Sequence, residues 1–486
     1  MNGKVSWNKL MMFALSELNF DTMFRRFIYF IFSVFSIILL VQCKKTEIDS
    51  DGSITFSTDT VSFDTIFSTI GSTTTFFKIY NPNNTDLKIS KIHLGNSHSM
   101  FRLNIDGYNK NSIENLIIPA NDSLFVFVEV TVNPTNSNSP MVILDSVIFQ
   151  MEKHSQNIKL QAFGQDVHLI NGQIFKTDTT WTNDKPYLIY NSMLVDSLTS
   201  LTIEEGCRLH FHHHSGMYIK GQLIVKGTKD NPVLFQGDRL EYFYDDIPGQ
   251  WDRIAFLEGS FNNKINYAII KNGVIGIQTG SLAINNKPSV EIKNTEILNM
   301  NYAGLYSLGG GITAENTIVS NCGFYEAALL IGGNYQFNQC TFVNFWKYAN
   351  RSEPSIVLTN FLLANNTYYL GNLSTAFFGN CIIYGSLDDE IGFGKDNTTE
   401  FNYQFKNCLI TYKKTDISDT NHFQNIITGD AKLVDYTKND FHLMQESPCI
   451  DAGDKTIGNT IPTDLDEIPR TTDSAPDLGA FEYSPN

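Results

Sequence analysis

One hexapeptide recurs through the second half of this 486-residue chain and restricts its fold more than any other feature. It is plainest at Phe378-Gly379-Asn380-Cys381-Ile382-Ile383, and returns as Phe405-Lys406-Asn407-Cys408-Leu409-Ile410 and Phe337-Asn338-Gln339-Cys340-Thr341-Phe342. Weaker copies centre on Tyr267, Asn294, Asn316 and Asn360, so the third positions step by 27, 22, 23, 21, 20 and 27 residues. Steps of this size mark a solenoid in which each repeat buries its apolar face only against its neighbours. Within the hexapeptide, positions four and six alternate as in a strand, but one residue too many separates positions one and four. The chain must therefore bend at Gly379-Asn380 and resume as a strand, and Asn tolerates the left-handed bend. Stacked coils about 4.8 Å apart would let successive Asn amides bond along the stack, with Tyr267 and Gln339 interrupting the ladder. The repeats lack a helical period and are rich in Val, Ile, Thr and Phe, which argues for parallel strands.

Residues 180–483 resemble the right-handed parallel β-helix lipoproteins of Bacteroidetes-type bacteria, a pectate-lyase-like fold. The likeness is carried by Leu201-Thr-Ile-Glu-Glu-Gly206, Gly221-Gln-Leu-Ile-Val-Lys-Gly227, Asn231-Pro-Val-Leu-Phe235, Gly249-Gln-Trp251, Ser447-Pro-Cys-Ile-Asp-Ala-Gly453 and Asp477-Leu-Gly-Ala-Phe-Glu482. Such a fold hosts lyases, hydrolases and non-catalytic surface proteins, so it does not name an activity.

The N-terminus supplies an address. Arg25-Arg26 precede an apolar run from Phe27 to Val41, too short for a spanning helix and suited to a secretory signal. Leu39-Leu40-Val41-Gln42-Cys43 resembles a bacterial lipobox, which implies lipidation of Cys43, an outer-membrane lipoprotein and a true start at Met23. The acidic tether after Cys43 resembles an export signal, which implies exposure on the cell surface. The expected organisation is a signal peptide over 1–42, a tether over 43–52, a β-sandwich over 53–166, the solenoid over 167–425 and its end and cap over 426–486. Alternating runs at Phe76–Tyr80, Leu87–Ile92, Leu124–Val130, Val142–Phe149 and Ile158–Ala162, broken by turns such as Asn81-Pro82-Asn83-Asn84, predict the sandwich. That stretch resembles immunoglobulin-like domains. The expected fold class is thus all-β: a right-handed parallel β-helix preceded by an immunoglobulin-like β-sandwich.

Removing residues 1–42 leaves 31 basic and 49 acidic residues, a net charge of −18. That balance excludes nucleic acid and polyanionic polysaccharide as broad-surface partners, which need a basic footprint, and is compatible with neutral glycans, metal ions or proteins. Cys340, Cys381 and Cys408 share one repeat position. In-register parallel side chains point the same way, so these read as buried thiols rather than bridges.

Three clusters are candidates for chemistry. If Leu209 and Phe211 face inward, His210, His212 and His214 share the outer face and could hold a transition metal. The segment from Gly237 to Arg253 interrupts two apolar runs, and Tyr242, Tyr244 and Trp251 offer faces for a sugar beside Asp245, Asp246 and Arg253. The competing reading for Trp251 is an inward core side chain. Asp388-Asp389-Glu390 and Asp464-Leu-Asp466-Glu467 could supply oxygen ligands for calcium; the second resembles an Asp-x-Asp-Gly turn with Glu467 in place of glycine. A lyase would need a base, and Lys271, Lys293, Arg351 and Lys406 lie on or near the coils. None stands in a lyase motif, so the expectation is non-catalytic binding of an extracellular ligand, a glycan first. Polysaccharide lyase or glycoside hydrolase, and structural or adhesive protein, are the alternatives.

Overall fold

The computed structural model describes residues 24, 25, 27–29, 31 and 47–485, apart from 136, 137, 139, 283–286 and 471–473. Cys43, Met23 and most of the signal segment lie outside the described residues. Among the described residues no helix is long and apolar enough to cross a membrane. The chain divides into two compact units.

The first unit takes Ser72–Val130 and Leu144–Gln161 together with described residues up to Ser62. Its strands form a six-stranded sheet (Asp86–Leu94 central, flanked by Met141–Gln150 and Ser112–Ile118) and a five-stranded sheet built on Thr75–Tyr80, Ser123–Val130 and Phe101–Ile105. Alternation puts Phe77, Ile79, Val126, Val128 and Leu103 on one inner face and Ile92, Leu94, Val147 and Phe149 on the other, all buried. Phe77 and Phe149 meet edge to face at 6.2 Å.

The second unit contains a 25-stranded sheet whose strands pair in parallel from one coil to the next. The parallel β-helix expected from the repeat is therefore present. Each coil contributes to three walls. The first wall includes Met217–Ile219, Ile254–Phe256, Ile275–Gly280, Ala303–Leu308, Tyr325–Leu330, Ile356–Thr359 and Ile391–Gly394. The second wall includes Gln222–Lys226, Asn263–Asn266, Gly333–Asn338, Leu373–Gly379 and Gln404–Lys406; the third includes Val233–Gly237, Ala268–Lys271, Thr341–Asn344 and Ile382–Gly385. Ser289–Leu298 and Gly311–Ser320 run through the bend and serve both.

The hexapeptide is this bend. Tyr267, Asn294, Asn316, Gln339, Asn380, Asn407 and Asn425 have φ of 47°, 47°, 46°, 54°, 53°, 49° and 53°. Left-handed backbone at the third position is thus general, whether or not the residue is Asn. Position one points inward, where Phe337, Phe378 and Phe405 stack with ring centroids 4.8 and 4.7 Å apart, and Phe423 continues the stack at 5.5 Å. Position four places the Cys340, Cys381 and Cys408 thiols in the core, where each donates to a carbonyl, that of Ala314, Phe337 and Phe378 respectively.

Two repeat-level expectations are corrected. Phe337 pairs with Phe378 and Asn338 with Gly379, so Gln339 is followed in the row by Asn380, and Asn360 is not a member. Asn360 lies just beyond the first-wall strand Ile356–Thr359, and the residues after it form a hairpin, Phe361–Ala364 against Thr367–Leu370. The Asn ladder is partial, as expected, with rungs from Asn316 to Asn294 (3.0 Å) and Asn425 to Asn407 (3.1 Å), but the expected rung between Asn407 and Asn380 is missing. Elsewhere the C-terminal segment takes their hydrogen bonds. Asn407 donates to the Ala452 carbonyl, Asn380 to that of Asp454 and Gln339 to that of Asp477. The Asp454 N–H returns a bond to Asn380 Oδ1 at 2.7 Å.

Asn380→Ala removes both of these bonds and places Ala in left-handed backbone, so it is expected to destabilise the protein by about 3 kcal/mol. Asn425→Ala meets the same left-handed backbone (φ 53°) but loses a single exposed amide bond, so it should cost less, about 1–2 kcal/mol. Chemical denaturation followed by circular dichroism measures both; equal losses would contradict the role given to the C-terminal segment.

Candidate functional site

At the corner between the first and second walls, coil length is uneven. Two successive coils turn tightly, from Leu308 through Gly309-Gly310 to Gly311 and from Leu330 through Ile331-Gly332 to Gly333. In the coil before them eight residues separate the strand ending at Gly280 from the one starting at Ser289, and the coil after them inserts the hairpin at 361–370. Short turns between long ones leave a groove of about 710 Å³, floored by Gly309, Gly310, Gly311 and Gly333. Its walls are Leu282 and Lys287 on one side and Tyr368, Tyr369 and Leu370 on the other.

The floor depends on glycine. Gly309 and Gly333 have φ of +71° and +126°, and a Cβ on Gly333 would lie 2.3 Å from the Tyr335 hydroxyl. Inside the solenoid a polar row pins these turns: Thr279 Oγ1 donates to Ser307 Oγ, Tyr335 Oη bonds Ser307 Oγ and the Gly332 carbonyl, and the Gly310 N–H donates to Ser307 Oγ. Tyr335 is fully buried, and burial raises its pKa. The hairpin wall is held by the turn Asn365-Asn366, both left-handed, and by Phe361 stacked on Tyr368 at 5.4 Å. Tyr368 donates to Asp396 and remains 49% exposed. Aromatic faces beside amides and backbone, in this volume, suit a sugar chain.

The sequence-predicted residues fall elsewhere. The strand Arg208–Phe211 ends before His212, so the three imidazoles do not share one strand face. His210 is buried with Nδ1 3.3 Å from the Gly237 carbonyl, and burial pushes its pKa down to about 4. His212 lies flat on Tyr190 and pairs with Asp238 at 2.7 Å, while His214 is in left-handed backbone against the His213 ring. Among the described residues no three His, Cys, Asp or Glu side chains group to hold a metal.

Trp251 is a core residue, not part of a binding loop: it is fully buried, stacked on Phe211 at 4.5 Å, with Nε1 donating to the Lys271 carbonyl. Its indole fills the coil interior where the third wall turns into the first. Arg253 pairs with Asp252 and donates to Gln278. Tyr244 is covered by the Arg239 guanidinium at 4.0 Å, itself paired with Glu241. The Asp245 carbonyl accepts from Asn272, and that of Asp246 from Tyr348. Those two aspartates remain exposed, as does Tyr242 at 89%, so of that set Tyr244, Trp251 and Arg253 are the ones drawn into packing or pairing.

The acidic runs are structural. Asp389 accepts N–H bonds from Lys413, Lys414 and Thr415, which hold its pKa down to about 2 even against the cost of burial. Asp464 accepts from the Ile468 and Glu482 N–H groups, and Asp466 pairs with His442 and Lys229. Glu467 occupies left-handed backbone (φ 64°), the conformation its glycine counterpart would take. Of the four bases, Lys293 pairs with Glu291 and Glu315, Lys406 with Asp454 and Arg351 with buried Glu390, while Lys271 reaches the Asp245 carbonyl.

No family model and no curated protein matches the chain. Among solved structures, one with partial similarity is a family 123 glycoside hydrolase from Clostridium perfringens, described in terms of glycolipid glycan hydrolysis. It is 9% identical over 26% of this chain and 26% of that one, with a TM-score of 0.18. The chain therefore spans about a quarter of that structure, and an overlap this limited says nothing of activity.

Beneath the segment 345–355 lies a buried group with a stability consequence. Glu326 is fully buried, and desolvation raises its pKa to about 8 although Arg351 opposes the shift. The folded state keeps a proton there that the unfolded chain releases near pH 4.3. The stabilisation is complete below that pH and disappears as pH rises through about 8. Glu326→Gln should therefore flatten the decline in stability between pH 5 and 9, by roughly 3 kcal/mol relative to the parent. Parallel thermal melts across that range check this, and identical pH profiles would refute the assignment.

Proposed function

We propose that this protein is an outer-membrane lipoprotein, anchored through Cys43 and exposed at the cell surface, that binds an extracellular glycan without chemistry. The observation that carries the binding is the glycine-floored groove walled by Tyr368 and Tyr369. A volume of about 710 Å³ is in the range of small-molecule sites and admits a few sugar units. The engagement of Lys271, Lys293, Arg351 and Lys406 in pairs or backbone contacts favours binding over a lyase mechanism. The first unit then serves as an immunoglobulin-like spacer between anchor and solenoid.

On a glycan array, the parent protein is expected to retain at least one class of oligosaccharide. Tyr368→Ala with Tyr369→Ala should weaken that binding tenfold or more, the loss expected for stacked rings, whereas Tyr242→Ala should not change it. Retention unaffected by the double substitution would remove the groove from the account. The anchor has its own check: cells should incorporate a palmitate label into the parent protein and none into Cys43→Ser. Labelling of both would mean that Cys43 is not the lipidated residue.

A further inference from the structure

Lys287 is the one charged side chain among the described residues lining the groove. Its Nζ donates to the carbonyls of Ser281 (2.7 Å) and Leu308 (2.9 Å), which fixes it at the groove wall and leaves a third N–H. Partial burial lowers its pKa, and Glu258 acts on it only at a distance; no ion pair joins it to a carboxylate among the described residues. Other lysines of the solenoid, such as Lys226, Lys293 and Lys406, have acidic partners. A half-buried ammonium without a counter-charge is a costly arrangement, and a ligand anion would relieve it.

The rest of the lining cannot do the same. The floor's backbone donors are consumed: Gly309 N–H by the Leu330 carbonyl, Gly310 by Ser307 Oγ, Gly311 by the Pro288 carbonyl and Gly333 by the Asn372 carbonyl. Asn334 and Asn372 offer amides of the kind that pair with sugar hydroxyls. Groove chemistry is therefore neutral and aromatic except at one point. The chain's net charge of −16 repels a polymer charged at every unit, but a single anionic group brought to Lys287 meets a local cation.

Building on the glycan-binding reading, the geometry points to a ligand that is an oligosaccharide carrying one anionic group, a carboxylate or a sulfate ester, seated on Lys287. Neutral units of the same ligand lie along Tyr368 and Tyr369. Lys287 sets the selectivity, and the tyrosines supply affinity that does not depend on charge.

The test uses the full chain in detergent and neutral tetrasaccharides of glucose, xylose and mannose, each also with a terminal uronic acid or a terminal sulfate ester. Binding by calorimetry at low salt is expected to be at least tenfold tighter for one anionic form than for its neutral parent, and which form wins separates carboxylate from sulfate. In Lys287→Gln the anionic form should bind no more tightly than the neutral form measured on the same variant. Lys287→Arg, which keeps the charge, should retain a preference, and unchanged melting temperatures confirm folding. Neutral and anionic forms bound equally by the parent would overturn this inference while leaving the glycan groove standing. An anionic preference surviving in Lys287→Gln would also overturn it, and no binding by any form would overturn both readings.

Discussion

The whole second unit depends on one backbone state, the left-handed residue between the second and third walls. A non-glycine residue in that state costs roughly 1–2 kcal/mol on its own. It persists because the neighbouring coil holds it: the Gln339 N–H bonds the Gly379 carbonyl, that of Asn380 the Lys406 carbonyl and that of Asn407 the Gln424 carbonyl, all within 3.0 Å. Each bend is thus secured by the next, and the register of the strands on either side follows. The inward Phe stack is a result of that register, since rings at position one overlie only if every coil bends at the same place.

The same row explains the route of the C-terminal segment. Side chains at the bends carry donors and acceptors that coil-to-coil bonding leaves only partly satisfied, and the tail completes them at Asn316, Gln339, Asn380 and Asn407. Arg470 anchors it from within: the guanidinium is fully buried, pairs with Glu482 at 2.5 Å and donates to Asn316 Oδ1 and to the Gly479 and Ala480 carbonyls. A buried ion pair adds little net stability, but losing one partner is expensive, so it fixes where the tail lies more than how firmly.

Periodic features were legible in the sequence because the solenoid repeats them: the bend, the inward Phe and Cys positions and the parallel pairing all follow from the hexapeptide. The site was not legible, because it arises where the repeat fails. Asn360 mimicked a repeat centre through Leu358 and Leu363, yet Asn365-Asn366 between Leu363 and Tyr368 carried the hairpin signal that places Tyr368 and Tyr369. His210, His212 and His214 looked like an alternating set, but the strand stops at Phe211 and alternation stops with it. Trp251 opens a coil and fills its interior, so its aromatic character reported packing instead of recognition.

Coil length therefore decides where this solenoid has a recess. A solenoid of equal coils presents continuous strips in which outward residues on adjacent rungs cover one another. A recess needs short coils between long ones, and a short coil at a tight corner needs glycine. Gly309 to Gly311 and Gly332-Gly333 meet that need, and the buried Thr279, Ser307 and Tyr335 row keeps those turns from spreading. Enlarging either turn would fill the groove at the cost of the bonds that pin it, whereas the bends between the second and third walls have pairings of their own. The shape of this recess can thus change by insertion at the corner while the stacked core stays the same, because the two rest on different residues.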